Sequence, residues 1–275
     1  MSNSRPLFGV GLRPTHYPFI ESKKPHGLDW FEVVTENFID SEGRPLKILE
    51  KVAQDYPIAL HGVSLSIGSA DPLNDTYLAK LKKLVDRIQP KIVSDHLCWT
   101  GGGGQNLHDL LPLPFTAENI RRIANKLERV QSHLKRTILL ENVSSYITYK
   151  QSEMSEWQFI SEVAKKSGCK ILLDLNNVFV SSVNHRFDPT EYLNQIPKNL
   201  VGQIHLAGFT DMGDYLFDTH SKPVVPEVWA LYKLLVAEVS DVPVIVEWDE
   251  DIPEFPRLAE EALTAKKIWC EQYGE

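Results

Sequence analysis

Residues 137–142 (TILLEN) and 170–175 (KILLDL) are two short apolar runs that carry acidic residues near their ends, and a helix-forming segment lies between them. Ser155 and Gln158 have the spacing of a helix capping box, and Gly168 lies where a glycine commonly ends a helix. Both runs are apolar without strict alternation, which is typical of strands covered on both faces. The segment therefore predicts a strand, a helix and a parallel strand.

The same unit recurs along the whole chain. Apolar runs that can form strands are found at residues 8–12, 30–34, 58–62, 91–96, 137–142, 170–175, 201–206 and 242–248. Helical spacing of apolar residues follows at 78–88 and 120–130, and Pro189 and Pro226 mark helix starts. We therefore predict an α/β protein with one (β/α)₈ TIM barrel that forms a single domain over residues 1–275.

Two connections depart from the regular pattern. Residues 15–27 contain two prolines and no clear helical spacing, so we expect an irregular first crossover. The connection after the fourth strand, residues 97–115, is long and includes Gly101 to Gly104. Loops of this length are often lids or binding loops, although a flexible excursion is equally compatible with the glycines.

Composition limits the classes of protein. The chain has a net charge of −8, which disfavours broad attraction to a nucleic-acid backbone, so we expect no nucleic-acid partner. No apolar stretch approaches the length of a membrane span, and the first residues lack a signal-peptide pattern. The three cysteines, Cys98, Cys169 and Cys270, are widely separated and form no CxxC motif. We expect a cytoplasmic protein with reduced thiols and no membrane segment.

Six of the apolar runs end on a side chain that can bind a metal. These residues are His61, His96, Glu141, Asp174, His205 and Glu247. A barrel gathers the carboxyl ends of its strands around one mouth, where active sites of this fold are built. Several carboxylates buried together without cations would be very costly. The pattern therefore predicts a multinuclear metal site with imidazole and carboxylate ligands, which suit zinc, manganese or iron.

Further polar residues follow the strand ends. Asp218 and His220 form a D-x-H segment after the seventh strand, and the two side chains of such a segment can bind one cation. Arg13 is a candidate to bind a substrate carboxylate, and Asp249 is a candidate to orient a ligand or accept a proton. For both residues, surface ion pairing is the competing interpretation.

Several motifs together resemble one family. They are HLAG (205–208), DTH (218–220), EWD (247–249), NN (176–177), NHxFD (184–188) and LLPLP (110–114). This combination, which covers essentially the whole chain, is similar to the DUF692 (UPF0276) proteins, the multinuclear non-heme iron-dependent oxidative enzymes. The resemblance implies a xylose isomerase-like barrel and two or three iron ions. It also implies oxygen-dependent modification of a cysteine in a peptide substrate and a separate partner protein that presents the peptide. His185, in the NHxFD segment that follows the strand end of Asp174, is a further candidate catalytic residue.

The order of the strand-end residues also resembles endonuclease IV, a trinuclear zinc barrel. By that resemblance His61, His96 and Glu141 hold one ion, and Glu141 is shared with a second ion held by Asp174, His205 and Glu247. The third ion uses Asp218 and His220. Endonuclease IV has a histidine where this chain has Asn177, which implies a weaker third site with an amide ligand.

Two features leave the function open. HLAG is commonly followed by a second histidine in the DUF692 family, whereas this chain has Phe209. The same metal cage could instead hold zinc or manganese and act in hydrolysis or sugar isomerisation, as in endonuclease IV or xylose isomerase. A barrel that keeps metal only for stability and serves as a binding scaffold is the third hypothesis.

Overall fold

The centre of the protein is a closed barrel of eight parallel strands. The computed structural model describes residues 5–22 and 27–274. The strands within these residues are β1 (Phe8–Gly11), β2 (Trp30–Val34), β3 (Ile58–Gly62), β4 (Ile92–His96), β5 (Trp99–Gly102), β6 (Gln105–Leu111), β7 (Leu139–Glu141), β8 (Lys170–Asp174), β9 (Val201–Leu206), β10 (Thr210–Asp211), β11 (Leu216–Phe217) and β12 (Val244–Val246). The barrel order is β1-β12-β9-β8-β7-β4-β3-β2. The eight apolar runs of the sequence correspond to the eight strands of this barrel. The predicted barrel is therefore confirmed.

Helices cover the outside of the barrel. They are α1 (Tyr17–Ser22), α2 (Glu36–Ile39), α3 (Arg44–Asp55), α4 (Asp75–Ile88), α5 (Ala117–Leu134), α6 (Glu156–Ser167), α7 (Leu175–His185), α8 (Pro189–Gln195), α9 (Pro226–Val236) and α10 (Phe255–Tyr273). The capping box of Ser155 and Gln158 is formed at the start of α6, and Gly168 ends that helix with φ 73°. Helices α8 and α9 begin at the predicted prolines. Among the helices of the described residues, none combines the length and hydropathy that a membrane span requires.

The two connections that depart from the regular strand–helix pattern, residues 15–27 and 97–115, differ in structure. The first crossover contains a short 3₁₀ turn (Pro14–His16) and the six-residue helix α1, and part of it, residues 23–26, lies outside the described residues. The long connection after β4 is an antiparallel hairpin of β5 and β6 instead of an irregular loop. Gly103 and Gly104 form its turn with φ of 61° and 81°, a conformation that glycine adopts without strain. The glycines therefore mark a hairpin turn.

The inside of the barrel has two layers of opposite polarity. The lower layer is apolar and consists of Trp30, Ala59, Ile92, Leu139, Leu172 and Ile245. Side chains alternate along a strand, so the residue two positions further along also points inward. These next residues include Glu32, His61 and Glu141, all of them buried. The apolar layer thus closes the amino end of the barrel, and a polar layer lies above it.

Candidate metal centre

The strand register brings the polar layer together. His96 of β4 lies beside Glu141 of β7, and Asp174 of β8 lies beside His205 of β9. All six residues predicted at strand ends are buried, with exposed fractions of 7% or less. The structure therefore gathers the strand-end residues inside the carboxyl end of the barrel.

The first group of possible metal ligands contains His61, His96 and Glu141. The Nε2 atom of His61 lies 2.9 Å from Oε2 of Glu141, and Nε2 of His96 lies 3.4 Å from the same oxygen. The other ring nitrogens have fixed partners, because His61 Nδ1 lies 2.8 Å from Ser94 Oγ and His96 Nδ1 lies 2.9 Å from the carbonyl oxygen of Gly62. These contacts orient both imidazoles with Nε2 toward the shared carboxylate.

The second group contains Glu141, Asp174, His205 and Glu247. The Nδ1 atom of His205 lies 3.1 Å from Oε2 of Glu247, 3.6 Å from Oε1 of Glu141 and 4.0 Å from Oδ2 of Asp174. One Asp174 oxygen caps helix α7 by accepting a hydrogen bond from the Asn177 backbone at 2.6 Å. The other oxygen remains available to the group. Glu141 is therefore a member of both groups and presents one oxygen to each.

The third group contains His220, Glu247 and Asp249. Nδ1 of His220 lies 3.3 Å from a carboxylate oxygen of each of these two acids. The opposite ring nitrogen, Nε2, lies 2.8 Å from Oδ1 of Asp218. Asp218 and His220 are therefore in contact with each other, and Asp249 instead of Asp218 shares the possible ligand group with His220, on the other side of the ring.

Arg13 joins the same cluster from the end of β1. Its guanidinium forms an ion pair with Asp249 and lies 3.7 Å from Oε1 of Glu247. Its Nε donates a hydrogen bond to the backbone oxygen of Trp248 at 3.2 Å. Burial lowers the pKa of Arg13, but the charges of Asp249 and Glu247 outweigh it and raise the pKa overall. Arg13 is thus a permanent buried cation beside the carboxylates.

Asn177 lies at the wall of the cluster. Its amide nitrogen donates to the backbone oxygen of Asn142 at 3.1 Å and lies 3.4 Å from Oε1 of Glu141. Its amide oxygen is buried and has no hydrogen-bond partner among the described residues. The neighbouring Asn176 donates to Asp218 at 2.8 Å. Both asparagines therefore contact candidate ligands.

His185 is placed elsewhere. It ends helix α7, and its Nε2 lies 2.7 Å from Oγ of Ser145. It lines a different cavity from the metal-ligand groups, together with Trp157 and Phe187. The NHxFD motif reaches this second cavity because a helix of 11 residues separates it from the strand end of Asp174. His185 does not lie with the other predicted site residues.

Glu32 and Gln203 belong to the cluster and were missed in the sequence. Oε1 of Glu32 lies 2.9 Å from Nε2 of His205, and its Oε2 accepts a hydrogen bond from the Gln203 amide at 2.6 Å. Glu32 thus orients the ring of His205 so that Nδ1 faces the second group. Both residues lie inside strands instead of at their ends. Their signal in the sequence is a polar residue within an otherwise apolar run.

The donor atoms of the cluster fit divalent metal ions. Asp174 Oδ2 and Asn177 Oδ1 are buried and have no hydrogen-bond partner among the described residues, and Glu141 Oε2, His205 Nδ1 and His220 Nε2 face neighbouring ligand atoms at 2.8 to 3.1 Å in directions unsuited to a hydrogen bond. Buried polar atoms are normally paired, so several unpaired donors and acceptors at one place indicate a missing partner. The groups found among the described residues contain only nitrogen and oxygen ligands and no thiolate. Cys98 is fully buried, as expected for a small apolar residue.

The electrostatics of the metal-free cluster favour protons where metal ions would bind. Burial opposes a charge on His61, but the carboxylate of Glu141 outweighs it and raises the pKa of His61 to about 9. Burial raises the pKa of Asp174 to about 8. Nearby carboxylates also raise the pKa values of His205 and His220 well above the ordinary value, against the effect of burial. At neutral pH these ligands therefore carry protons in the absence of metal.

Metal binding should release protons and should strengthen with pH. A metal ligand must be deprotonated, and His61 with a pKa of about 9 and Asp174 with a pKa of about 8 are both protonated at pH 7. We expect about two or more protons to be released at pH 7, with the apparent affinity rising up to about pH 9 and falling in acid. Calorimetric titration in buffers of different ionisation enthalpy measures this number. Binding without proton release would contradict the assignment of these ligands.

An open cavity leads to the cluster. It has a volume of about 490 Å³, and its walls include His61, His96, Glu141, His220 and Asp249. Residues His108, Asp109 and Leu110 of the β5–β6 hairpin line its outer part. The hairpin therefore contributes to the binding cavity, which is the role expected of a lid or binding loop.

Comparisons with known proteins support one family. Residues 7–270 match the sequence profile of the RiPP precursor modification enzymes MbnB/TglH/ChrH. A UPF0276 protein of Anaeromyxobacter sp. strain Fw109-5 is 50% identical over 260 residues, which cover 94% of this chain and 92% of the relative. A UPF0276 protein of Caulobacter vibrioides is 47% identical over 264 residues, covering 96% and 94%.

The solved structures with a similar fold include sugar epimerases. The structure of D-psicose 3-epimerase in the presence of D-fructose has a TM-score of 0.65 at 13% identity and covers 98% of this chain and 100% of its own. The 3-keto-D-glucoside 4-epimerase of E. coli has a TM-score of 0.63 at 12% identity and covers 96% and 100%. At this identity the likeness shows the fold alone, a TIM barrel. By sequence, the chain belongs to the MbnB/TglH/ChrH (DUF692) family of RiPP precursor modification enzymes.

Proposed function

We propose that this protein is an iron-dependent enzyme that uses oxygen to modify a cysteine of a peptide substrate. One observation carries the proposal: a buried nitrogen and oxygen ligand cluster, shared through Glu141, forms the floor of an open cavity in a member of a peptide-modifying family. A closed structural metal site would have no such access. Iron suits a mixed set of imidazole and carboxylate ligands.

The chain offers ligands for two ions and candidates for a third. His61, His96 and Glu141 would hold one ion, and Asp174, His205, Glu247 and the second oxygen of Glu141 would hold another. His220 with Asp249 or Asp218 is the candidate third site, with Asn177 nearby. Bound iron supplies the redox chemistry that removes electrons from the substrate sulfur and passes them to oxygen.

The remaining residues prepare the cavity for a peptide. Desolvation and the charge of Glu247 raise the pKa of Asp249, but the hydrogen bond with His220 and the charge of Arg13 outweigh them, so the pKa is lowered and Asp249 stays ionised. An ionised Asp249 can accept a proton from a substrate thiol or orient His220, which lies 3.3 Å away. The cavity of about 490 Å³ is large enough for a short peptide segment. A separate protein that presents the peptide remains part of the proposal, since the family members act on RiPP precursors.

Anaerobic purification followed by a peptide assay tests this function. The holoprotein should contain iron by elemental analysis, and mass spectrometry of a co-expressed precursor peptide should reveal a mass change confined to cysteine. His96→Ala should abolish the change, whereas His133→Ala, on the exposed surface of α5, should keep it. An enzyme that is active with zinc and without oxygen would overturn the proposal in favour of a hydrolase or isomerase.

Loss of the candidate third metal ion, at His220, should leave the other two ions bound. Asp218 contacts the outer nitrogen of His220 and accepts a hydrogen bond from Asn176, and it belongs to no ligand group with Glu141 among the described residues. We expect Asp218→Ala to remove at most one metal equivalent and to leave the fold intact, as judged by metal counting and circular dichroism. The same measurement on Asp249→Ala tells which of the two carboxylates is the ligand. Full occupancy in the Asp218 variant would show that Asp218 only orients the ring.

A further inference from the structure

A second cavity lies beside the metal-centre cavity. We call it the side cavity; its walls include Ser145, Tyr149, Glu156, Trp157, His185 and Phe187. Ser144 lines the metal-centre cavity and the next residue, Ser145, lines the side cavity. Leu110 likewise lines the metal-centre cavity, and Pro112, two residues further along, lines the side cavity. These short segments therefore lie between the side cavity and the space above the metal ligands.

The side cavity has the size and walls of a pocket for one side chain. Its volume is about 250 Å³, which is below the roughly 300–1,000 Å³ of sites that bind drug-sized ligands. The Trp157 ring lies 5.6 Å from the Phe187 ring and 5.5 Å from the Tyr192 ring, measured between centroids. Aromatic walls of this kind suit an apolar stem or a cation placed against their faces.

Glu156 is the one acidic residue in this wall, and its carboxylate lacks a counter-ion in the described part of the chain. Burial raises the pKa of Glu156 to about 8. Burial also raises the pKa of Tyr192, and the charge of Glu156 adds to that effect. The Tyr192 hydroxyl is fully buried and has no hydrogen-bond partner among the described residues. Two polar groups therefore lack partners at the same place.

The helix does not account for Glu156. It is the first residue of α6, where an acidic residue is favourable, but the capping box at this helix end is formed by Ser155 and Gln158 without the Glu156 side chain. The Ser155 hydroxyl accepts from the Gln158 backbone, and the Gln158 side chain accepts from the Ser155 backbone. A carboxylate in an apolar cavity is costly unless a cation joins it.

We propose that the side cavity binds the cationic side chain of a lysine or arginine of the peptide substrate. The aliphatic stem packs on Trp157 and Phe187, and the charged end pairs with Glu156, which loses its proton to solvent on binding because a nearby cation favours the carboxylate. His185 does not repel the cation, since burial lowers the pKa of His185 and the ring is neutral at pH 7. This inference rests on the proposed function, because a neighbouring residue of the same peptide then occupies the metal-centre cavity.

Small probes test the pocket directly. The ¹⁵N-labelled full-length protein, as isolated, is titrated with n-butylguanidinium and with n-butylurea, its neutral analogue of the same shape. We expect n-butylguanidinium to shift the Trp157 indole signal and Glu156→Gln to weaken that binding by about tenfold, the size of one charge-assisted hydrogen bond. Glu162→Gln is the matched control, because it changes a 52% exposed carboxylate on the same helix.

The two possible failures can be told apart. Equal binding of n-butylurea, or unchanged binding by Glu156→Gln, would overturn the pocket and leave the metal chemistry untouched. Without a bound cation the Glu156 carboxyl is mostly neutral at pH 7, and Glu156→Gln replaces it with an amide of the same shape, so the variant should fold, and near-ultraviolet circular dichroism verifies this. Binding of the probe needs neither metal nor oxygen. A protein without oxidative activity that still binds n-butylguanidinium through Glu156 would overturn the proposed function alone.

Discussion

Glu141→Gln should lose metal from both main groups and abolish peptide modification. Its two oxygens face different groups, with Oε2 2.9 Å from His61 and Oε1 3.6 Å from His205. Loss of groups that only support a ligand already lowers metal affinity by about 10–100-fold, so loss of a shared ligand should lower it by at least about 100-fold. Metal titration monitored by elemental analysis measures the change.

In the absence of metal, the pKa of His61 provides a second measurement on the Glu141→Gln variant. The charge of Glu141 is what raises the pKa of His61 against burial, to about 9. Glu141→Gln keeps the shape of the side chain and removes the charge, so the pKa of His61 should fall, which an NMR titration of the imidazole detects. Glu162→Gln, at an exposed position, should change neither property. A variant that keeps two ions would show that Glu141 is not a shared ligand.

Removal of the metal ions should lower the thermal stability strongly. Glu141, Asp174 and Glu247 are buried close to one another, and without cations their charges are balanced only by protons and Arg13. A ligand at about 1,000 times its dissociation constant stabilises a protein by about 4 kcal/mol. For a chain of this size that corresponds to a Tm lower by about 8–16 °C after chelation.

Differential scanning calorimetry before and after chelation gives this shift, and adding metal back should restore the Tm. The Glu141→Gln variant is the matched control, because it holds less metal and should therefore lose less stability on chelation. The lost stability should grow with pH, since protons on His61 and Asp174 substitute for metal most effectively in acid. An unchanged Tm after all ions have left would contradict the prediction.

The sequence alone determined the barrel and most of the cluster. Runs such as TILLEN and KILLDL carry their strand signal locally, and a side chain at the carboxyl end of such a strand must lie at the mouth of a barrel. The capping box at Ser155 and the glycine at position 168 predicted the start and the end of α6 from local sequence alone. His96 and Glu141 could be predicted together because each ends its own strand, and adjacent parallel strands place them side by side.

Only the tertiary structure decided how the polar groups face one another. Glu32 and His205 are in contact although 173 positions apart, because closure of the barrel brings the inner faces of β2 and β9 together, which no local pattern encodes. The hairpin of residues 99–111 needed cross-strand pairing to be recognised. His185 lies in the side cavity because the length and direction of α7 carry it away from Asp174. Ligand type is a property of the residue, whereas ligand geometry depends on strand order and barrel closure.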